Sequence, residues 1–227
     1  NYVGGNIENA GFYYSNSGTV NEKSTIAAGK NSVILFDTGT NINASGSSNV
    51  IGIADGTYNG GMPFSFAGTT ADKELTNRGI ISAGDKSAVL YAKNNAAMLN
   101  AGTVTVGKES VGLYGVSVND VENKGTINVG ENSKGIYLKD GILTGILNSG
   151  KILSSSDTAV GIISDYNGGS TTLIKTTDEI KLTGENSVGI YTTGTGIQNV
   201  ENIGLIEIGA SSDRNNPGMA IYNTGIG

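Results

Sequence analysis

Gly130 to Tyr137 reads GENSKGIY, and Gly184 to Tyr191 reads GENSVGIY. Seven of the eight residues agree across 54 positions. Read backward from Gly130, the phrase extends through Val129, Ile127, Gly125, Asn123 and Val121. The same frame runs through Leu75, Asn77, Gly79, Ile81, Ala83 and Gly84, and again through Met98, Asn100, Gly102, Val104, Val106 and Gly107. It is looser at Ile146, Asn148, Gly150 and Ile152, and clear at Val200, Asn202, Gly204, Ile206, Ile208 and Gly209. After each closing Gly a polar triplet leads into a short apolar stretch that ends in an aromatic. Ser87 precedes Tyr91, Ser110 precedes Tyr114, Ser133 precedes Tyr137 and Ser187 precedes Tyr191, while Ser32 precedes Phe36.

The spacing of that aromatic decides the architecture. Tyr91, Tyr114 and Tyr137 are 23 residues apart, and the column continues through Ile163, Tyr191 and Tyr222 at gaps of 26, 28 and 31. A period in the twenties that stretches in places marks a solenoid, in which each repeat packs only on its neighbours. Helical repeats are the rival. Gly costs a helix about 1 kcal/mol relative to Ala, and this chain carries 36 Gly in 227 residues. Its apolar residues alternate instead, as in Ile127 and Val129, Val104 and Val106, and Ile206 and Ile208. That is strand periodicity, bounded by Gly and Asn. The expected fold is an all-β parallel β-helix, or β-solenoid, with coils of about 23 residues holding roughly three strands each. It runs as one continuous segment over residues 1–227. Parallel stacking sets each residue over its equivalent in the next coil, so each column asks for one side chain at every level.

The columns carry separate expectations. Positions of the Ile127 and Val129 type face inward as an aliphatic stack. Asn123-type positions sit at turns, where Asn tolerates αL and hydrogen-bonds along the stack. Gly125-type and Gly130-type positions supply φ > 0 at corners. In the tyrosine strand, alternation puts Ser133, Gly135 and Tyr137 on one face and Lys134, Ile136 and Leu138 on the other. Either set fits a core, and a bend at Gly135 would bury parts of both.

Three stretches break the period and are expected to protrude as loops, near residues 54–73, 164–178 and 210–218. The first two share Tyr-Asn-Gly-Gly, at Tyr58–Gly61 and Tyr166–Gly169, and Asn-Gly is a tight-turn signal. Loops on a rigid frame carry binding more often than the frame does. Tyr58, Phe64, Phe66 and Tyr166 are therefore the candidate partner-binding residues. Tyr58 and Tyr166 lead, because the following Asn-Gly-Gly turn would lift each outward.

Composition narrows the chemistry. The chain has no His, no Cys and no Trp, so Ser-His-Asp and Cys-His catalysis and a disulfide framework are excluded. No phosphate loop, dinucleotide fingerprint or HExxH motif occurs, and no cofactor is expected. Net charge is −6 with both signs scattered, which argues against a nucleic-acid partner. No run of 18 apolar residues is present to form a membrane helix. The scattered acids Asp55, Asp72, Glu74, Asp120, Glu122, Asp178 and Glu179 read as solvated turns rather than as a paired-carboxylate site. The chain begins and stops in mid-pattern, as a piece of a longer protein would.

The phrase N-x-G-x-I-x-V-G-x-x-S-x-G-I-Y stands in full at Asn123–Tyr137, with close copies at Asn77–Tyr91 and Asn100–Tyr114. It resembles the passenger repeats of large type V autotransporter adhesins, especially those of fusobacteria. The resemblance implies a right-handed β-helix displayed on the surface of a Gram-negative cell by a C-terminal membrane barrel that is not in this sequence. It also implies partners among host-cell or bacterial surface proteins or glycans. The expected function is a non-catalytic adhesin segment. The alternatives are a spacer that only extends a distal tip, a rod that self-associates, and a polysaccharide-cleaving β-helix enzyme.

Overall fold

The computed structural model describes strand backbone at residues 6–7, 11–14, 20–22, 25–28, 32–37, 50–54, 57–60 and 64–68. It also describes residues 74–93, 97–140 and 145–225, with side chains from Leu75 onward. Among the described residues every regular element is a strand. Three sheets take strands in fixed rotation. Ile80–Ala83 lies in the first, Ala88–Lys93 in the second and Ala97–Asn100 in the third; Thr103–Val106 is back in the first, one coil on. The first two sheets have nine strands each and the third has eight. Pairing is parallel and in register, with Ile81 beside Val104, Val104 beside Ile127 and Ile127 beside Ile152. The chain is a parallel β-solenoid, as its period predicts.

Coil length stretches in places, as the sequence spacing indicates. Ladder residues in successive coils stand 23, 23, 25, 28 and 26 positions apart. The extra residues are not spread evenly. Among the described residues, two join the third sheet to the first in each coil, from 78–79 between Asn77 and Ile80 to 203–204 between Asn202 and Leu205. The join from the second sheet to the third takes residues 117–119 in one coil and 166–171 two coils later.

Inward columns from all three sheets make the core, with one fully buried column in each at its centre. Ile81, Val104, Ile127, Ile152 and Ile180 come from the first sheet, and Leu90, Leu113, Ile136, Ile162 and Ile190 from the second. Leu75, Met98, Val121, Ile146 and Ile174 come from the third. All are essentially inaccessible to solvent, and each contributes about 1.5–3 kcal/mol by leaving water. Ile127 and Val129 face inward as expected.

The tyrosine strand buries parts of both its faces. In Lys134–Lys139, Gly135 and Ile136 are consecutive buried residues, and Leu138 is also buried, while Tyr137 is half-buried on the outer face. The Gly135 position turns into the core. A Cβ there would lie 2.8 Å from Ile152 Cγ2 and 2.6 Å from the Gly161 carbonyl oxygen. Gly112, Gly161 and Gly189 meet Ile127, Ile180 and Ile206 in the same way.

Corner glycines serve a purpose other than the one their sequence predicts. Among the described glycines only Gly145 and Gly194 have positive φ. Gly125 and Gly130 do not; they are there because backbones approach too closely for a side chain. A Cβ at Gly125 would lie 1.9 Å from the Gly102 carbonyl oxygen, and one at Gly130 would lie 2.4 Å from that of Gly107. Left-handed geometry falls instead to Lys86, Glu109, Asn132, Thr158 and Asn186, at φ between 51° and 57°. Each of the first four turns its amide to the next coil, as in Glu109 N–H donating to the Glu131 carbonyl at 3.0 Å. The repeated GEN thus spells a close contact, a surface acid and an αL residue in order.

Two polar ladders run through the buried corners. Asn77 Nδ2 donates to Asn100 Oδ1 at 2.7 Å, Asn100 to Asn123 at 2.8 Å, and Asn123 to Asn148 at 2.7 Å; Asn148 then donates to Thr176 Oγ1 at 3.1 Å. All five are fully buried, so these bonds satisfy groups that would otherwise be costly to enclose. The asparagines hydrogen-bond along the stack as expected but do not adopt αL. The second ladder links the Ser87 amide to Ser110 Oγ and the Ser110 amide to Ser133 Oγ, at 3.0 and 2.9 Å.

Candidate interaction surface

Of the residues expected to bind a partner, Tyr166 alone lies among the described side chains, and it is buried. Within the stretch near 54–73, the described residues 57–60 and 64–68 are strands of the solenoid rather than a loop. Thr57–Gly60 joins the first sheet, with Tyr58 beside Ile26 and Ile81. Phe64–Gly68 joins the second, with Phe64 beside Ser32 and Phe66 between Leu35 and Leu90. The side chains of Tyr58, Phe64 and Phe66 lie outside the described residues. Residues 55–56, 61–63 and 69–73 of this stretch also lie outside them.

Tyr166 corrects a second expectation. It is 2% exposed, not lifted outward. Ser164 and Asp165 finish the strand Val160–Asp165, and Thr172–Thr176 is a strand of the third sheet, so only residues 166–171 form the corner. Gly168, with Gly196 of the next coil, lets the backbone close over the ring. A Cβ at Gly168 would lie 2.2 Å from the Tyr166 hydroxyl oxygen, and one at Gly196 would lie 2.4 Å from its Cδ1. The Tyr166 amide donates to the Thr193 carbonyl at 3.0 Å, and the Gly196 amide donates to the Tyr166 carbonyl at 2.8 Å. Here Asn-Gly-Gly covers an aromatic plug.

The stretch near 210–218 does depart from the coil. Residues 209–218 connect Leu205–Ile208 to Met219–Asn223, and Asp213, Arg214, Asn215 and Asn216 are exposed. The connection is tethered to the preceding coil. Ser211 Oγ contacts Asn186 Oδ1, and Ser212 Oγ donates to Glu185 Oε2 at 2.8 Å.

The outer face of the second sheet carries the most ordered exposed feature. Its register aligns Tyr91, Tyr114, Tyr137, Ile163, Tyr191 and Tyr222, the column that the sequence spacing gives. Ring centroids of Tyr91 and Tyr114 are 5.4 Å apart at an interplanar angle of 40°. Tyr114 and Tyr137 stack at 5.1 Å and 16°, and Tyr191 and Tyr222 at 5.4 Å and 16°. Ile163 separates the two groups. In the two near-parallel stacks the ring faces cover one another, so edges rather than faces remain accessible, and the Tyr191 hydroxyl shares a hydrogen bond with Thr224 Oγ1 at 3.0 Å. Burial, with smaller effects from Tyr91 and the Asp165 carboxylate, raises the pKa of Tyr114. Burial followed by Asp165 does the same for Tyr137. Lys134 and Lys139 flank Tyr137 on the same strand.

Other outward columns are ionic. Lys108 pairs with Glu131 at 2.7 Å, Lys151 with Glu179 at 3.0 Å, Lys175 with Glu201 at 2.8 Å and Lys181 with Glu207 at 2.9 Å, each between neighbouring coils. A depression of about 370 Å³ has Val129 and Leu153 with Asn128, Ser154–Ser156, Lys181 and Thr183 around it. Among the described residues no three His, Cys, Asp or Glu side chains converge as metal ligands. The tyrosine ladder was legible in the sequence as a column. Its outward direction was not, because the buried pair Gly135 and Ile136 disrupts simple alternation.

Comparison with known proteins adds no identity: no family model matches the chain, and neither does any curated protein or solved structure.

Proposed function

We propose that this chain is a rod-forming segment of a surface-displayed adhesin passenger that attaches a Gram-negative cell to proteins on host cells or other bacteria. The observation that carries the reading is the tyrosine ladder. Tyr is enriched at protein interfaces because it supplies a large, rigid contact with a polar tip. Here the tyrosines stand outward on a frame whose core and corners hold them in fixed register. Stacked rings offer edges rather than faces, and this favours a protein partner over a sugar laid flat on a ring face.

Adhesion by the immobilised chain tests the proposal. Tyr91→Ser, Tyr114→Ser and Tyr137→Ser combined should abolish most attachment while circular dichroism keeps the strand signature. Full attachment by the folded triple variant would remove the ladder from the binding surface. The second reading is a spacer that holds a distal tip away from the cell. It draws support from Tyr166, whose burial removes one of the expected anchors and leaves that corner closed. The spacer predicts no attachment by the unaltered chain in the same assay. Release of reducing ends from a neutral or acidic polysaccharide would instead favour an enzyme.

A further inference from the structure

The geometry points to the outer tyrosine stacks as sites of covalent modification: under one-electron oxidation, neighbouring coils become joined by dityrosine bonds. The inference is independent of adhesion. Tyr114 and Tyr137 stand with centroids 5.1 Å apart and planes 16° from parallel, and Tyr191 and Tyr222 stand 5.4 Å apart at the same angle. Each pair springs from directly opposed positions on adjacent parallel strands. The two phenols therefore project side by side from one sheet face, as coupling at the ring carbons next to the hydroxyl requires. All four rings are accessible, and Tyr222 is 40% exposed. The side chains thus have solvent space in which to rotate the last few ångströms into bonding contact.

The chemistry balances with hydrogen peroxide as oxidant and a peroxidase as catalyst. Two phenols each lose one electron and one proton, and the peroxide is reduced to two waters. The paired phenoxyl radicals join by one carbon–carbon bond between ortho ring positions. The ring hydrogen at each joined carbon moves to its oxygen, which restores both phenols. The product is two hydrogens lighter than the parent. The chain has no Cys, so it lacks the disulfide route to a covalent staple, and the phenol stacks supply another. Orientation ranks the pairs. Tyr91 and Tyr114 are tilted by 40° and should couple more slowly than the two parallel pairs. Ile163 keeps the two groups from reacting with one another.

Treatment of the dilute, full chain with a peroxidase and hydrogen peroxide tests the inference, with dityrosine fluorescence and peptide mapping as readouts. The expected result is a monomeric product. Its Tyr114 and Tyr137 peptides, and its Tyr191 and Tyr222 peptides, should each be joined with loss of two hydrogens. Yield should not change with protein concentration and should fall several-fold when the chain is first unfolded in urea. Tyr114→Phe keeps an aromatic ring in the stack. It leaves Tyr91 and Tyr137 two coils apart, roughly 10 Å, so all linkage in that group should be lost while the Tyr191–Tyr222 bond persists. The inference is overturned if folded chain gives no intramolecular dityrosine. It also fails if linkage is mainly between chains, or if Tyr114→Phe leaves the Tyr137 peptide coupled as before.

Discussion

The corner from the third sheet to the first holds two residues in every coil from 78–79 to 203–204, whereas the corner from the second sheet to the third grows from residues 117–119 to 166–171. The constant corner is tied on every side. At Lys124 and Gly125 both amides donate to the Asn100 carbonyl, at 2.7 and 2.9 Å, and the Thr126 amide donates to that of Gly102 at 2.9 Å. Asn123 is locked above and below by the amide ladder, and Gly125 has no room for a side chain. At the variable corner some residues remain untied. A Cβ at Gly169 would meet nothing within 4 Å, and Asn167 is exposed, with its hydrogen bonds at the surface. Length is thus fixed where every group is answered by the neighbouring coil, and free where the chain can satisfy itself or reach water.

Alanine at two glycines should give the widest contrast. Gly125→Ala drives a methyl into backbone that other hydrogen bonds hold in place, so a loss of about 3 kcal/mol or more is expected in denaturant titration. Gly169→Ala should stay within about 0.5 kcal/mol of the parent. Equal losses would mean that packing does not distinguish the corners.

The asparagines give the next contrast. Asn123→Ala leaves Asn100 Nδ2 and Asn148 Oδ1 buried without their ladder partner, and should cost about 2–4 kcal/mol. Asn167→Ala removes exposed bonds to Asp140 and Thr195, and about 1 kcal/mol or less is expected. A larger loss at Asn167 would show that the variable corner is as tightly specified as the other.

The smallest effect concerns the outer ladder of the second sheet, which leads into the variable corner. Tyr114 and Tyr137 have folded pKa values above their ordinary 10.0. The unfolded chain therefore releases these protons first. Their contribution is complete below pH 10.0 and is lost as pH climbs through the higher folded values. Lys108, Lys151 and Lys181, also raised by their hydrogen bonds to Glu131, Glu179 and Glu207, lose theirs above 10.5. Tyr114→Phe combined with Tyr137→Phe should flatten the tyrosine part of the alkaline melting curve and leave the lysine part. An unchanged curve would remove the tyrosines from it.

Which parts of this were legible follows from how a solenoid is specified. A column repeats because stacked positions share one environment, so Tyr91 to Tyr222 could be aligned through gaps of 26, 28 and 31 from sequence alone. The tether at residues 209–218 was legible for the same reason, since it fills the space between two good matches. The coil holding Tyr58 and Phe66 was not. Tyr and Phe stand there in columns otherwise held by Ile and Leu, so the register survives while the letters change. Tyr166 was misread because Asn-Gly-Gly describes backbone freedom and says nothing of what the freed backbone folds over. The corner glycines show a related ambiguity. A glycine is required both by positive φ and by close approach, and only the neighbouring coil distinguishes them.

The amide ladder also gives the rod a unit of length. Asn100, Asn123 and Asn148 each accept from the coil before and donate to the coil that follows, so the bonds run head to tail along the axis. Any coil with this phrase fits after any other. Excising residues 101–123 would rejoin Asn100 to Lys124 and Gly125, so that Asn77, Asn100 and Asn148 could form the same continuous series. Removing an odd number of residues inside a strand would reverse its inward and outward faces, while chain length taken up at the corner from the second sheet to the third leaves the ladders in step. The molecule can therefore lengthen or shorten only in whole coils, about 4.8 Å at a time, and its reach is quantised by the spacing of one side-chain amide above the next.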